Sequence, residues 1–199
     1  MNRSTAILLY LLLAGTIVGL DLWSKAAAFD YLGATIVQHP VHGPLIAEAT
    51  PDGVREVPVF DSWFHLQASI NIGAYNGMFG GQRTLLLLVS ALWVVGSLVW
   101  ICWRQRHDTG LVIAIGLTAG GAFGNLWDRY FHHAVRDFIK WFVVIDGEAK
   151  VWPNFNIADA AICVGVSMIL VREFVVARRE KRERLEAENS TPAEESPSN

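Results

Sequence analysis

The sequence predicts an α-helical polytopic membrane protein: four transmembrane helices, a small extracytoplasmic β-sheet element and a short outer helix or loop. Three observations carry that prediction. Of 199 residues, 52% are hydrophobic and only 18% charged, where a soluble domain carries about 25% charged. The apolar residues come in long blocks rather than with a helical or strand period, and Thr84–Trp103 is twenty residues without a charge, matching the roughly 20 needed to cross the hydrocarbon core. Between the first two blocks the composition changes to proline, glycine and alternating apolar residues. The net charge is −3 with no basic face, which argues against a nucleic-acid partner.

The first block, Thr5–Leu20 (TAILLYLLLAGTIVGL), follows Arg3 and reads as a retained transmembrane helix. A cleaved leader is the rival reading, with Ala26-Ala27-Ala28 as its small-residue site, but Asp21, Trp23 and Lys25 interrupt the approach to it. From about Asp30 to Gln82, with its centre at about 30–70, an extramembrane β-element is expected. The Pro51-Asp52-Gly53 turn between β-rich runs signals a hairpin. Thr84–Trp103 is the second span and Leu111–Trp127 the third, whose TAGGAFG run allows close helix packing in lipid. The fourth runs from about Ile157 to Val176, with Arg172 near enough its end to snorkel. These spans and their loops form one domain, 1–176. The remainder, 177–199, is a charged helical start that decays into a disordered Ser/Pro/Glu tail. Cys102 and Cys163 fall inside apolar blocks and read as small buried thiols rather than a disulfide.

Four spans put both termini on one side, and Lys/Arg placement chooses which. Arg3, Arg104, Arg106, Arg172 and the five bases from Arg178 to Arg184 fall on that side. The dense cluster after the fourth span makes it cytoplasmic. Asp21, Asn71, Asn125, Asp128 and Asp159 then all lie at the outer face, contributed by different segments.

Ionisable groups at membrane depth cost about 2.5–3.5 kcal/mol each on insertion scales, so they mark function. Asp21 and Lys25 stand at i and i+4, where opposite charges pair on one helix face; a simple interfacial salt bridge is the plain alternative. Asn71-Ile-Gly73-Ala74, with Gly77, Gly80 and Gly81, is a glycine-rich approach to the second span. Asn125, Asp128 and Arg129 offer an amide, a carboxylate and a guanidinium at the end of the third, with Asp128 beside Arg129 as a charge-paired structural acid. Asp137 (AVRDFI) and Asp159 (FNIADAAI) are each flanked by apolar residues, which raises a carboxyl pKa. Two such carboxylates within about 3 Å share a proton, one acting as base and one as acid, and activate water. A metal site on His132, His133 and these aspartates is the competing chemistry; it lacks an H-E-x-x-H helix.

The set DLWSK, NIGA, GGAFGNLWDR, VRDFI and FNIADAAICVG, in that order from Asp21 to Gly165, resembles signal peptidase II, the bacterial lipoprotein signal peptidase. The resemblance implies an aspartyl endopeptidase working within the membrane, with no metal or other cofactor. Its substrate would be a prolipoprotein, cut just before a cysteine that carries diacylglycerol. It implies Asp137 and Asp159 as the dyad. Asn71, Asn125, Arg129 and Asn156 would hold substrate, and Asp21, Lys25, Gly73 and Asp128 support the site. The β-element would be the family's cradle and residues about 131–153 a mobile outer helix or loop. The setting implied is a monomer among the lipids of the bacterial inner membrane. The chain departs from the family pattern at Asn76 and Arg136. From other classes, a non-catalytic membrane scaffold or lipid-binding protein would tolerate loss of the aspartates, and a proton-relaying transporter would spread its acids through the membrane depth.

Overall fold

The computed structural model describes residues 1–40, 42–48, 56–61, 63–73 and 82–190, the last four of these by backbone alone. The Pro51-Asp52-Gly53 turn, Ala74, Asn76, Gly77, Gly80, Gly81 and the end of the tail lie outside the described residues.

Four long helices dominate: α1 (Arg3–Tyr31), α2 (Arg83–Trp103), α3 (Thr109–Phe131) and α4 (Ile157–Ser190). Each has the length and apolar composition to cross a membrane. The centre is α3, which packs against α1, α2 and α4. Its small residues decide that position, because they let other backbones approach. A methyl group added at Gly121 would collide with the Ala158 carbonyl, and one at Gly124 with the Asp21 carboxylate. The outward faces of α1, α2 and α4 are apolar and exposed, as at Leu12, Leu92 and Leu170, which suits lipid rather than water. Cys102 and Cys163 belong to those faces and are exposed, correcting the expectation of buried thiols.

The first helix runs past the expected end at Leu20 to Tyr31 and carries Asp21 and Lys25 within it. Both side chains are fully buried. Arg172 does not simply reach for water: it pairs with Glu173 (2.6 Å) and with Asp108 (3.5 Å). Asp108 also caps α3 by accepting from Leu111 N at 2.8 Å, so the pairing ties α4 to the start of α3.

Among the described residues the strands form two sheets. Strands β1 (Ala34–His39) and β2 (Gly43–Glu48) make an antiparallel hairpin. Strands β3 (Glu56–Phe60), β4 (Phe64–Asn71), β5 (Val135–Ile145) and β6 (Glu148–Val151) form an antiparallel sheet in that order. Half of this second sheet comes from residues 135–151, where an outer helix or loop was expected. Val135, Phe138, Phe142, Val143, Val144 and Ile145 in that stretch favour extended backbone. The Asp146-Gly147 pair, both at positive φ, is the turn chemistry of a tight hairpin. The sheets close over the end of α1 through a cluster of Ala28, Phe29, Leu32, Ala34, Ala68 and Phe138.

Candidate active site

The site is assembled where three helix ends meet β5. Asparagine 156 starts α4 as its cap. Its Oδ1 accepts from Asp159 N at 3.0 Å, and Asp159 Oδ2 accepts from Asn156 N at 3.2 Å. This is a reciprocal capping box, N-x-x-D in place of the usual S/T-x-x-E. Asp159 therefore sits at the positive end of a long helix, held by the same hydrogen bonds that begin it. A third bond at this terminus comes from α1: Asp21 Oδ1 accepts from Ala158 N at 2.9 Å.

Asn156 also reaches the second aspartate. Its Nδ2 lies 2.6 Å from Asp137 Oδ1 and 3.3 Å from both Asn125 Oδ1 and the Arg136 carbonyl. Asn125 Nδ2 donates to Asp159 Oδ1 at 2.8 Å. Asp137 is thus tied to Asp159 through the two asparagines, and the network assigns their amide orientation. Asp137 is buried, Asp159 half-buried. Burial, and then the neighbouring Asp159, push the Asp137 carboxyl up to about 8, so it holds a proton at neutral pH.

Around this pair lies a fully buried charge cluster. Lys25 Nζ contacts Asp21 Oδ2 (2.7 Å), Asn125 Oδ1 (3.0 Å) and Asp128 Oδ2 (3.4 Å). Asp128 does not pair with Arg129 as expected; its partners are Lys25 and Arg136. The Arg136 fork reaches both carboxylate oxygens, at 2.8 and 3.2 Å, and its backbone N donates at 3.0 Å. Adjacent residues on a helix point about 100° apart, which separates Asp128 from Arg129. In the sequence Arg136 stands only as a departure from the family pattern; a charged residue beside a buried aspartate is the signal that points to its role.

Arg129, also buried, points towards the β-element. Its Nη2 donates to the Gly73 carbonyl at 2.8 Å and its Nη1 to the Asn125 carbonyl at 3.4 Å. Its Nε has no hydrogen-bond partner among the described residues. Asn71 closes an Asx turn on Gly73 N at 3.0 Å, which presents the Gly73 carbonyl to Arg129. Asn71 is the last residue of β4, paired with Val135, and Ser69 is paired with Asp137. Beside them opens a cleft of about 460 Å³ lined by Ser69, Ile70, Asn71, Ile72, Asp137, Pro153 and Asn154. Asn154, whose Nδ2 lies 3.3 Å from Gln67 Oε1, is a lining residue that carried no motif of its own. Every residue expected at the site is gathered at one end of the bundle. His132 and His133 end α3, and no group of three or more His, Cys, Asp or Glu is arranged to hold a metal among the described residues.

Fold and cluster together define a small membrane protein with a carboxylate-rich site at one end of four spanning helices. A profile of the family described as signal peptidase (SPase) II matches residues 13–175, and the chain belongs to that family. Membership implies a peptidase in a bacterial membrane. Among its relatives, a lipoprotein signal peptidase of Halalkalibacterium halodurans is 29% identical over 89% of this chain and 99% of its own length. One of Xanthomonas campestris pv. campestris is 35% identical over 79% of this chain and 83% of its own. A bacterial membrane enzyme solved by the in meso method at 2.3 Å resolution shares the fold, with a TM-score of 0.61 and 20% identity over 95% of this chain and 94% of its own.

Proposed function

We propose that the protein is an intramembrane aspartyl endopeptidase that removes the signal peptide from diacylglyceryl-modified prolipoproteins, cleaving just before the lipidated cysteine. The observation that carries this reading is the Asp137–Asp159 pair: two carboxyls bridged by Asn156, one of them pushed to about 8 by burial and by the other. Four carboxyls (Asp21, Asp128, Asp137, Asp159) and three cations (Lys25, Arg129, Arg136) share the cluster, so a single shared proton makes it neutral. Neutrality is what a dry environment favours.

In the reaction, a water between the two carboxyls attacks the scissile carbonyl carbon. Asp159, oriented by two N–H groups, takes the water proton, while Asp137 protonates the carbonyl oxygen to give a gem-diol. The C–N bond then breaks, the leaving nitrogen takes the proton held by Asp159, and a diol hydroxyl returns one to Asp137. The extended substrate lies in the cleft between Asn71 and Asn154. The Nε of Arg129, without a partner among the described residues, is a donor available to a substrate carbonyl, and the diacylglyceryl chains lie against the spans. Positive charge gathers at the opposite end of the helices, which supports cytoplasmic termini and a site at the outer face of the inner membrane.

Reconstituted protein and a diacylated prolipoprotein test the reading: Asp137→Asn and Asp159→Asn should each lose processing by at least about a hundredfold, the scale of general acid–base catalysis. Full processing by either variant sinks it.

A further inference from the structure

The cleft beside Asp137 has two ends, and the chemistry proposed above uses only the inner one. Ser69 is the strand partner of Asp137, and both line the cleft with Asn71. Asn154 reaches the cleft from the other side of β5. There Phe155 and Ile139 exchange backbone hydrogen bonds at 2.9 and 3.1 Å, on the edge opposite to β4. The Asn154 amide nevertheless crosses to β4, its Nδ2 lying 3.3 Å from Gln67 Oε1 and 3.5 Å from the Gln67 carbonyl. Gln67 is anchored in turn, since its Nε2 donates to Glu56 Oε2 at 3.0 Å. Lys140 (2.7 Å) and His65 (2.5 Å) hold Glu56 in place. With Nδ2 so engaged, Asn154 Oδ1 is left without a hydrogen-bond partner among the described residues, as is Ser69 Oγ.

We propose that Asn154 determines specificity for the substrate segment just after the lipidated cysteine, its Oδ1 accepting a backbone N–H there, with Gln67 as the positioning residue behind it. The inference rests on the peptidase reading above and adds the direction in which the substrate lies. Around Asp137 the strands offer no edge to a further chain: β5 has β4 on one side and Phe155 on the other. An extended substrate cannot add as a strand here, as peptides do at open sheet edges, so side chains must hold it. The two ends of the cleft also differ in depth. Asn71 pairs with Val135, shortly after α3, whereas Gln67 faces Glu56 of β3. Gln67 and Asn71 are about 13 Å apart along β4 at roughly 3.3 Å per residue, so the Asn154–Gln67 end lies away from the helices. The apolar leader stays with the spans, and the chain beyond the cysteine is bound for water. The outer end therefore takes the downstream segment. A neutral amide reads its backbone and tolerates its side chains.

The test compares two diacylated substrates with the reconstituted full chain, one continuing past the cysteine and one ending at the cysteine amide. Asn154→Ala should raise KM for the longer substrate about fivefold, the scale of one neutral hydrogen bond. Its kcat should hold, because the lost contact binds substrate and transition state alike. The shorter substrate should be processed by the variant as by the wild type. Gln67→Met keeps Asn154 but removes its anchor, and should raise the same KM by a smaller factor. Asn154 and Gln67 are only half-buried, so both variants should melt with the wild type. An equal rise in KM for the two substrates would put Asn154 on the leader side or in the fold, and overturns the proposal. An unchanged KM for the longer substrate, with wild-type processing intact, overturns it alone. Failure of the wild type on both substrates sinks the peptidase reading, and this inference with it.

Discussion

Asp137 is the residue on which pH acts. Its carboxyl is held at about 8 in the folded protein, against an ordinary 3.8. The folded state therefore binds a proton that the unfolded chain releases, and stability falls as pH rises from about 4 to about 8, by up to about 1.4 kcal/mol per pH unit. Asp137→Asn keeps the acceptor for Asn156 and removes the titration. The variant should melt above the wild type, by a margin that grows across that window, while processing is lost. A margin independent of pH would show that the proton is held elsewhere. The same group sets the alkaline limb of activity: kcat/KM should fall as the shared proton leaves, with an apparent pKa near 8 that belongs to the pair. A flat profile from pH 7 to beyond about 9 would contradict the shared proton. Lys25 presents the opposite case. It is buried between Asp21 and Asp128, so Lys25→Met leaves two buried carboxylates without their common cation and should cost about 3–5 kcal/mol, read as a drop in melting temperature.

At the scale of elements, helix α4 begins where the proposed chemistry is placed. The cap that stops its first turn from fraying also orients Asp159, so one substitution should show both roles. Asn156→Ala removes the N-cap acceptor, worth about 1 kcal/mol of stability, and removes the link to Asp137. Its loss of kcat should exceed what so small a loss of folding explains. If kcat stays within a factor of about three, near 0.6 kcal/mol, Asn156 serves the helix alone. The close contact of α3 with α1 is equally specific. At Gly124 a methyl group would enter the Asp21 carboxylate, which cannot yield without losing Lys25 or the α4 terminus. Gly124→Ala should therefore destabilise by about 1–3 kcal/mol, as overpacking does, although alanine is the better helix former. A higher melting temperature for this variant would disprove the close approach.

Taken whole, the molecule is a bundle with two different ends. Carboxylates and amides with Lys25, Arg129, Arg136 and the sheets occupy one; Arg3, Arg104, Arg106 and the charged extension of α4 occupy the other. The central helix α3 connects them, and it carries Asn125, Asp128 and Arg129 to the site because it touches all three other helices. No two neighbouring elements contain the site by themselves. Asp21 and Lys25 come from α1, Asn71 and Gly73 from the end of β4, Asp137 from β5, and Asn156 and Asp159 from the start of α4. The proposed orientation has its own check. In a cysteine-free background, Thr109→Cys should be labelled from the cytoplasm and Glu148→Cys from outside by a membrane-impermeant maleimide. The reverse pattern would invert the topology.

Much of this was legible in the chain. Four spans follow from apolar blocks whose length matches the hydrocarbon core, a physical requirement that leaves few alternatives. The site residues stood out because charge and amide groups are costly at membrane depth, and because five short motifs in order define a family. The sequence did not show which acid pairs with which base. Asp128 beside Arg129 in the chain suggested an ion pair, whereas helical geometry sends the two side chains to different neighbours and gives Asp128 to Lys25 and Arg136. Nor did it show that residues 135–151 complete the sheet begun at Glu56, because strand pairing joins segments some seventy residues apart, as Ser69 with Asp137, and leaves no local period. The identities of the proposed reacting groups are legible in the sequence alone. Their protonation and mutual orientation were decided by tertiary structure, since burial and hydrogen-bond partners exist only once distant segments have met.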